Sequence, residues 1–292
     1  MGNTEREPAE VLSLLGREHD LRLRIVRQFE RGDEGAYEVV NSDGQRMVLK
    51  WLPWGPEAEH AADVVEPALA RLRDRGIPIP ARVAAGRAGD LWFELQEFAD
   101  GAPVEYVDND LLDRLVEVVD VQRGVGLGTG KDWWEFIVDG LRHDRSPLCR
   151  PSALQGCTGA VAELVKRLRA AAHSAPLPDR VPGDLVHFDF GPANVLVDAG
   201  RVTAVLDWQS CRDGDASYDL VTTDWDLATW PKSAPGVSDR LGETIIRTTH
   251  PGAVVVYAAH SVLRNLTWAS GTEWEDHIVR AGHAFLDRWS RV

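Results

Sequence analysis

The chain has 292 residues, 44% of them hydrophobic and 27% charged, which fits a globular protein and excludes a collagen-like or wholly disordered one. Lys and Arg number 32 against 46 Asp and Glu, a formal net charge of −14. That balance argues against a general nucleic-acid binder and against adhesion to anionic lipid, and it suits a cationic small molecule. The polar, mixed-charge start Met1 to Glu10 reads as no signal peptide, and the most apolar run, Ala253 to Leu263, is too short to span a bilayer. The three cysteines, Cys149, Cys157 and Cys211, make no disulfide framework, so a reducing cytoplasm is the expected location.

In chain order, Leu21 to Phe29 alternates apolar residues with Arg and predicts a half-buried strand. A turn from Arg31 to Gly35 leads to a second strand, Tyr37 to Val40, and Ser42-Asp43-Gly44 is a hairpin signal before a third, Arg46 to Trp51. Glu57 to Arg75 carries Val64, Val65, Leu69 and Leu72 at helical spacing, with Gly76 as its stop. Ile77 to Pro80 must be extended, and strands follow near Ala81 to Ala85 and Leu91 to Phe98. Past the connector Ala99 to Pro103 the character becomes helical, with amphipathic stretches at Leu111 to Gln122, Trp133 to Leu141 and Gly159 to Ala172. Pro176 to Asp184 reads as a loop, Asn194 to Val197 and Val202 to Leu206 as short strands, and the region from Tyr218 onward as mostly helix. The expected organisation is α+β in two parts, residues 1–98 and 99–292.

Two motifs are set aside. Gly124 to Lys131 is glycine-rich, but a Walker loop needs Gly where Val125 stands and Ser or Thr where Asp132 stands, and it follows a helix instead of a strand. Cys149, Cys157 and His173 fit no zinc-finger or zinc-ribbon spacing.

The informative block is His187-Phe188-Asp189-Phe190-Gly191-Pro192-Ala193-Asn194, then Asp207-Trp208. It puts a His, an Asp and an Asn on a Gly-Pro loop entering a strand, with a second Asp at the end of the next strand. A side-chain carbonyl and a carboxylate, Asn194 and Asp207, are hard oxygen donors that suit Mg²⁺ held with phosphates. Asp189 on the same rim is placed to orient a hydroxyl, which is the division of labour phosphoryl transfer needs.

This pattern closely resembles the catalytic and metal-binding loops of aminoglycoside phosphotransferases and choline-kinase-like enzymes, relatives of the protein kinases. The similarity runs in order from about residue 20 to 230. Within it Lys50 stands as the nucleotide lysine on the third strand, Glu66 as its helix partner, Gly76 to Pro80 as the sequel, and Gly214 to Leu220 as the tract after the metal aspartate. The resemblance implies a two-lobed, protein-kinase-like fold with an antiparallel-sheet N-lobe and a mainly helical C-lobe, ATP (or GTP) and Mg²⁺ as cofactors, and Asp189 as catalytic base. It implies Glu97, Phe98 and Ala99 as the adenine hinge, and Gly32 and Gly35 as a sparse phosphate-covering turn. It also implies that His187 packs the loop and that Asp219 braces it. Phe188 departs from the Gly usual between the loop His and Asp, and Gln122 stands near where the family often ends a helix in His, so no role is assigned to it.

The resemblance places carboxylates of the helical lobe around a basic substrate. Asp224, Asp226, Glu273 and Asp276 are the candidates, with Trp230 among nearby tryptophans as a stacking face. The expected reaction is transfer of a γ-phosphoryl group to a hydroxyl of a small cationic molecule, an aminoglycoside or other basic antibiotic first. The partners expected are that substrate alone, with no nucleic acid or membrane, in a monomer or dimer. Two alternatives stay open: a metabolic kinase for choline, a sugar or an amino alcohol, and a catalytically silent nucleotide-binding module.

Overall fold

The computed structural model describes residues 6–29, 35–143, 149–151, 154, 157, 159–230 and 232–291, with the backbone alone for 56–62. The chain divides into two compact units, Met1–Ala102 with Leu196–Gln209, and Pro103–Val195 with Ser210–Val292.

The first unit is built on period-2 alternation. Helix α1 (Pro8–His19) precedes strands β1 (Leu23–Gln28), β2 (Ala36–Asn41) and β3 (Arg46–Pro53); helix α2 (Pro56–Asp74) precedes β4 (Arg82–Ala88) and β5 (Leu91–Glu97). The five strands form one antiparallel sheet in the order β1-β2-β3-β5-β4. Successive side chains of a strand face opposite ways. Met47, Leu49 and Trp51 of β3 and Leu91, Phe93 and Leu95 of β5 therefore share one face, where they form a core with Val11, Leu14 and Leu15 of α1. The intervening residues, Lys50 and Leu52 of β3 and Trp92, Glu94 and Gln96 of β5, line a cavity of about 240 Å³ together with Val65, Glu66 and Leu69 of α2. Helix α2 buries Val65, Ala68, Leu69 and Leu72, an i, i+3, i+4, i+7 stripe. The Ser42-Asp43-Gly44 hairpin forms as expected, with Asn41 Oδ1 accepting from the amides of Asp43 and Gln45 at 3.0 and 2.9 Å.

Strand β6 (Ala102–Pro103) lies where the chain passes from the first unit to the second. The sequence reading placed that passage at 98/99 and assigned everything after it to the second part. The hairpin of β8 (Val195–Asp198) and β9 (Arg201–Val205) instead returns to the first unit, because Val205 N–H donates to the Pro78 carbonyl at 2.8 Å on the extended Ile77 to Pro80 segment.

The second unit holds α3 (Asn109–Gln122), α4 (Trp133–Arg142), α5 (Ala160–Ser174), the short antiparallel pair β7 (Asp184–Val186) and β10 (Arg212–Gly214), then α6 (Ser217–Thr229), α7 (Val237–Thr248), α8 (Pro251–Ala269) and α9 (Glu275–Trp289). Asp108 and Asp132 cap α3 and α4 by accepting from the third amide onward, at 2.8 and 3.0 Å. The expected apolar run became α8, buried almost all round and packed against α4, α5, α6, α7 and α9. Among the described residues no helix is long and apolar enough to cross a membrane. Inside this core His260 meets the Tyr218 hydroxyl at 2.8 Å and Cys149 Sγ at 3.4 Å, and burial pushes its pKa down to about 3. Cys149 is thus a core thiol, pushed up to about 12 by burial.

The glycine-rich stretch 124–131 does cradle an anion, but an internal one. The amides of Leu127, Gly128 and Thr129 and the Thr129 hydroxyl all donate to the Asp213 carboxylate on β10. A Cβ at position 126 would lie 2.7 Å from Asp213 Oδ1 and 2.8 Å from the Gly183 carbonyl, so only Gly126 lets the loop close on that carboxylate.

Candidate active site

Asp189 sits in the loop between β7 and the short 3-10 turn Pro192–Asn194, and this loop is held from several sides. Buried Asp219, at the start of α6, accepts from the amides of His187 at 2.7 Å and Phe188 at 2.9 Å. Gln122 Nε2 in turn donates to Asp219 Oδ2 at 2.7 Å and to the Leu185 carbonyl at 2.8 Å. Burial pushes the Asp219 carboxyl up, against the pull of His187, Gln122 and the two amides. Thr222 and Thr223 donate to the Phe190 carbonyl at 3.1 and 3.3 Å. The bracing expected of Asp219 is present, His187 is fully buried as a packing residue, and Gln122, given no role from sequence, completes the brace.

Phe188 stands where glycine is usual and adopts φ +76°, left-handed backbone that a residue with a Cβ resists. The ring compensates. It is buried, stacked on Tyr218 at 5.3 Å and 6°, with the guanidinium groups of Arg212 and Arg264 at 4.9 and 5.0 Å.

On this scaffold the Asp189 carboxylate remains 59% exposed. Asn194 Nδ2 donates to the Asp189 carbonyl at 2.8 Å and to its Oδ2 at 3.2 Å, which leaves the Asn194 amide oxygen as the atom available to a cation. Arg264 on α8 donates to Asp189 Oδ1 at 3.0 Å. Sequence reasoning did not single out Arg264, although it is the lone guanidinium of α8 and directly follows the apolar run Ala253 to Leu263.

In the first unit Lys50 and Asp207 are brought together as an ion pair, at the cavity that both line. Asp207 adopts φ +63°, a conformation Asp tolerates better than most residues and one that recurs at functional positions. The expected Lys50–Glu66 pair is not formed. Glu66 binds Arg73 at 2.7 Å and stands 3.8 Å from Arg82, two guanidinium groups nearer to it, while Lys50 is satisfied by Asp207. Glu97 ends β5, and its side chain accepts from the Ala81 amide at 3.2 Å. Phe98 stacks on Phe29 at 6.5 Å beneath Arg46 at 3.6 Å, and Ala99 follows it, half-buried. Gly35 takes φ +66° just before β2, whereas Gly32 lies outside the described residues.

The substrate candidates separate. Asp224 is fully buried and bound to Arg288 and Ser238 at 3.2 Å and to the Trp289 indole at 3.1 Å, so it joins α6, α7 and α9 and faces no ligand. Burial pushes its pKa up to about 6. Asp226 is half-buried against the loop 187–191, where a Cβ at position 191 would collide with its Oδ2; Gly191 is what gives this carboxylate room. Burial, and next the Asp189 charge, push its pKa up to about 7. One turn on, Trp230 packs edge-to-face on Trp274 at 4.9 Å, both 40% exposed, and exposed Glu273 and Asp276 flank Trp274 in the chain. Most of the eleven tryptophans are interior, Trp133, Trp225 and Trp289 among them. Among the described residues no three His, Cys, Asp or Glu side chains gather to hold a metal.

An exposed aspartate on a braced loop, a lysine paired with an aspartate beside a sheet cavity, and a helical second unit are the parts of a kinase-like phosphotransferase. Residues 25–252, more than three quarters of the chain, match the model of the phosphotransferase enzyme family, and the chain belongs to that family. Among solved structures it is similar to a thermostable mutant of aminoglycoside phosphotransferase APH(4)-Ia in its apo form, with a TM-score of 0.71 and 19% identity over 96% of this chain and 98% of that one. A further form of that protein, in ternary complex with AMP-PNP and hygromycin B, aligns with a TM-score of 0.71 and 20% identity over 97% and 98% of the two chains. Macrolide 2'-phosphotransferase MphH from Brachybacterium faecium aligns with a TM-score of 0.60 and 20% identity over 95% and 97%. A curated relative, hygromycin-B 4-O-kinase of Escherichia coli, is 56% identical over 36 residues, a segment that spans 12% of this chain and 11% of the relative.

Proposed function

We propose that this protein transfers the γ-phosphoryl group of ATP (or GTP) to a hydroxyl of a small cationic acceptor in the cytoplasm, with an aminoglycoside such as hygromycin B as the first choice. The observation that carries the reading is Asp189, an exposed carboxylate fixed by Asn194 and Arg264 on a loop braced by Asp219. Asp189 accepts the proton of the acceptor hydroxyl as its oxygen attacks the γ-phosphorus; the bond to the β,γ-bridging oxygen breaks and the nucleoside diphosphate leaves. Lys50 holds the α- and β-phosphates, for which it must release Asp207. The donor chemistry of Asn194 and Asp207, one amide oxygen and one carboxylate, fits Mg²⁺, which takes a few protein ligands and completes its shell with phosphates and water. Bound there, Mg²⁺ supplies charge neutralisation on the phosphates. Glu97 to Ala99 offer backbone groups to the base, and Gly35 belongs to the turn over the phosphates.

Asp226, Trp230, Glu273 and Asp276 form the acceptor side, with a half-buried carboxylate for an ammonium group and an indole face for a sugar ring. The net charge of −14 and the hygromycin B bound to a structural neighbour support a polycation. The exposed Trp230–Trp274 pair also supports a second reading, a metabolic kinase for a quaternary ammonium alcohol. A panel of aminoglycosides, macrolides and amino alcohols incubated with Mg·ATP and analysed by mass tests both. Phosphorylated hygromycin B or another aminoglycoside supports the first reading, and phosphorylated choline alone replaces it by the second.

A further inference from the structure

Arg264 is an anomaly in its own helix. The buried residues of α8 around it are Val262, Leu263 and Leu266, yet it carries a guanidinium whose side chain is only 16% exposed. Holding such a charge away from water is costly unless its partners are well placed. The partners are two successive residues of the catalytic loop. One nitrogen donates to the Phe188 carbonyl and another to Asp189 Oδ1 at 3.0 Å, while the guanidinium lies 5.0 Å from the Phe188 ring centroid.

We infer that Arg264 is a positioning residue for phosphoryl transfer, holding the Phe188–Asp189 peptide and one oxygen of the Asp189 carboxylate so that the acceptor hydroxyl meets a fixed base. The inference rests on the reading of Asp189 given above. Three observations converge on it. The left-handed backbone of Phe188 must be held from outside, and the structure holds it at both ends: Asp219 takes its amide and Arg264 its carbonyl. With Asn194 on Oδ2 at 3.2 Å and Arg264 on Oδ1, the carboxylate is tied at both oxygens, and each keeps a lone pair for a ligand. Finally, the Asp189 and Asp226 charges both act on Arg264, and Asp226 lies against the same loop at Gly191. A hydrocarbon side chain would fill the same space without the desolvation cost and could do none of this.

A misplaced base costs about 10²-fold in rate, whereas groups that only bind substrate move KM. Steady-state kinetics of wild type, Arg264→Ala and Arg264→Lys, with thermal melts of each, test the inference. We expect kcat of Arg264→Ala to fall by about 10²-fold with nucleotide KM unchanged. Added guanidinium should restore part of it, and Arg264→Lys should retain an intermediate kcat. If a folded Arg264→Ala keeps the wild-type kcat, or loses only KM, the inference fails. If Arg264→Ala does not fold, Arg264→Lys decides: the wild-type kcat, with its single point charge in place of the fork, overturns it. A wild type that phosphorylates nothing overturns the reading of Asp189 instead.

Discussion

At the scale of single residues, Asp226 separates function from stability. A carboxyl held at a raised pKa binds its proton more tightly folded than unfolded. Its favourable share of stability is therefore present at low pH and is lost as pH rises from 3.8 through about 7. Above pH 7 the folded protein carries an ionised, half-buried acid beside Asp189. Asp226→Asn, neutral throughout, should be more stable than wild type at pH 8 by roughly 1–2 kcal/mol after allowance for solvent screening, and the gap should close toward pH 4. The same variant should bind a cationic acceptor about tenfold more weakly. Melting curves across pH, with acceptor KM, check both, and equal stability at pH 8 contradicts this account of Asp226. A loss of acceptor binding beside a gain in stability is the combination the proposed acceptor role of Asp226 predicts.

At the scale of elements, the loop 187–190 trades backbone strain for ring packing. Phe188→Ala loses the ring and keeps the strained φ, whereas Phe188→Gly loses the ring and relieves it. Both should lose about 2–5 kcal/mol, and the glycine variant should be the more stable of the two by about 0.5–1 kcal/mol, reversing the usual order. Thermal melts of the pair decide it, and an alanine variant equal to or above the glycine variant would show that Phe188 is not strained. The candidate site's polar residues were legible because His187, Asp189, Asn194 and Asp207 are close in sequence and of distinctive types. Its supports were not, because Gln122 and Arg264 reach it from α3 and α8, and no local pattern joins positions so far apart. The sheet, α2 and the helical second half were readable from periodicity. Helix α1 was missed although Val11, Leu14 and Leu15 stand at i, i+3 and i+4, because a stripe one turn long in an otherwise polar stretch is a weak signal. Strands β7 and β10 have three residues each, too short for alternation to register. The Lys50–Glu66 expectation came from family resemblance, which carries no knowledge of Arg73 and Arg82 as competing partners.

For the whole molecule, a net charge of −14 creates a field that draws in multiply charged cations and repels nucleotides. Salt screens that field, with a Debye length of about 10 Å at 0.1 M. The KM of a polycationic acceptor should therefore rise several-fold between low and moderate salt, while the KM of a monocationic amino alcohol changes less and kcat stays nearly level. Steady-state kinetics at two ionic strengths check this, and an acceptor KM indifferent to salt would assign recognition to shape alone. Much of the charge is solvated surface, as in the Arg114–Glu117 pair of α3, so the effect belongs to the summed field and not to single ion pairs.

The measurement that bears most directly on the account is single-turnover transfer from labelled Mg·ATP to hygromycin B by wild type and Asp189→Ala, with nucleotide affinity measured on both. The account predicts labelled acceptor from wild type, a rate lower by at least about 10²-fold in the variant, and equal nucleotide affinity. Equal transfer by the two proteins would contradict the assignment of Asp189 as the base, and transfer by neither, with nucleotide still bound, would contradict the choice of acceptor.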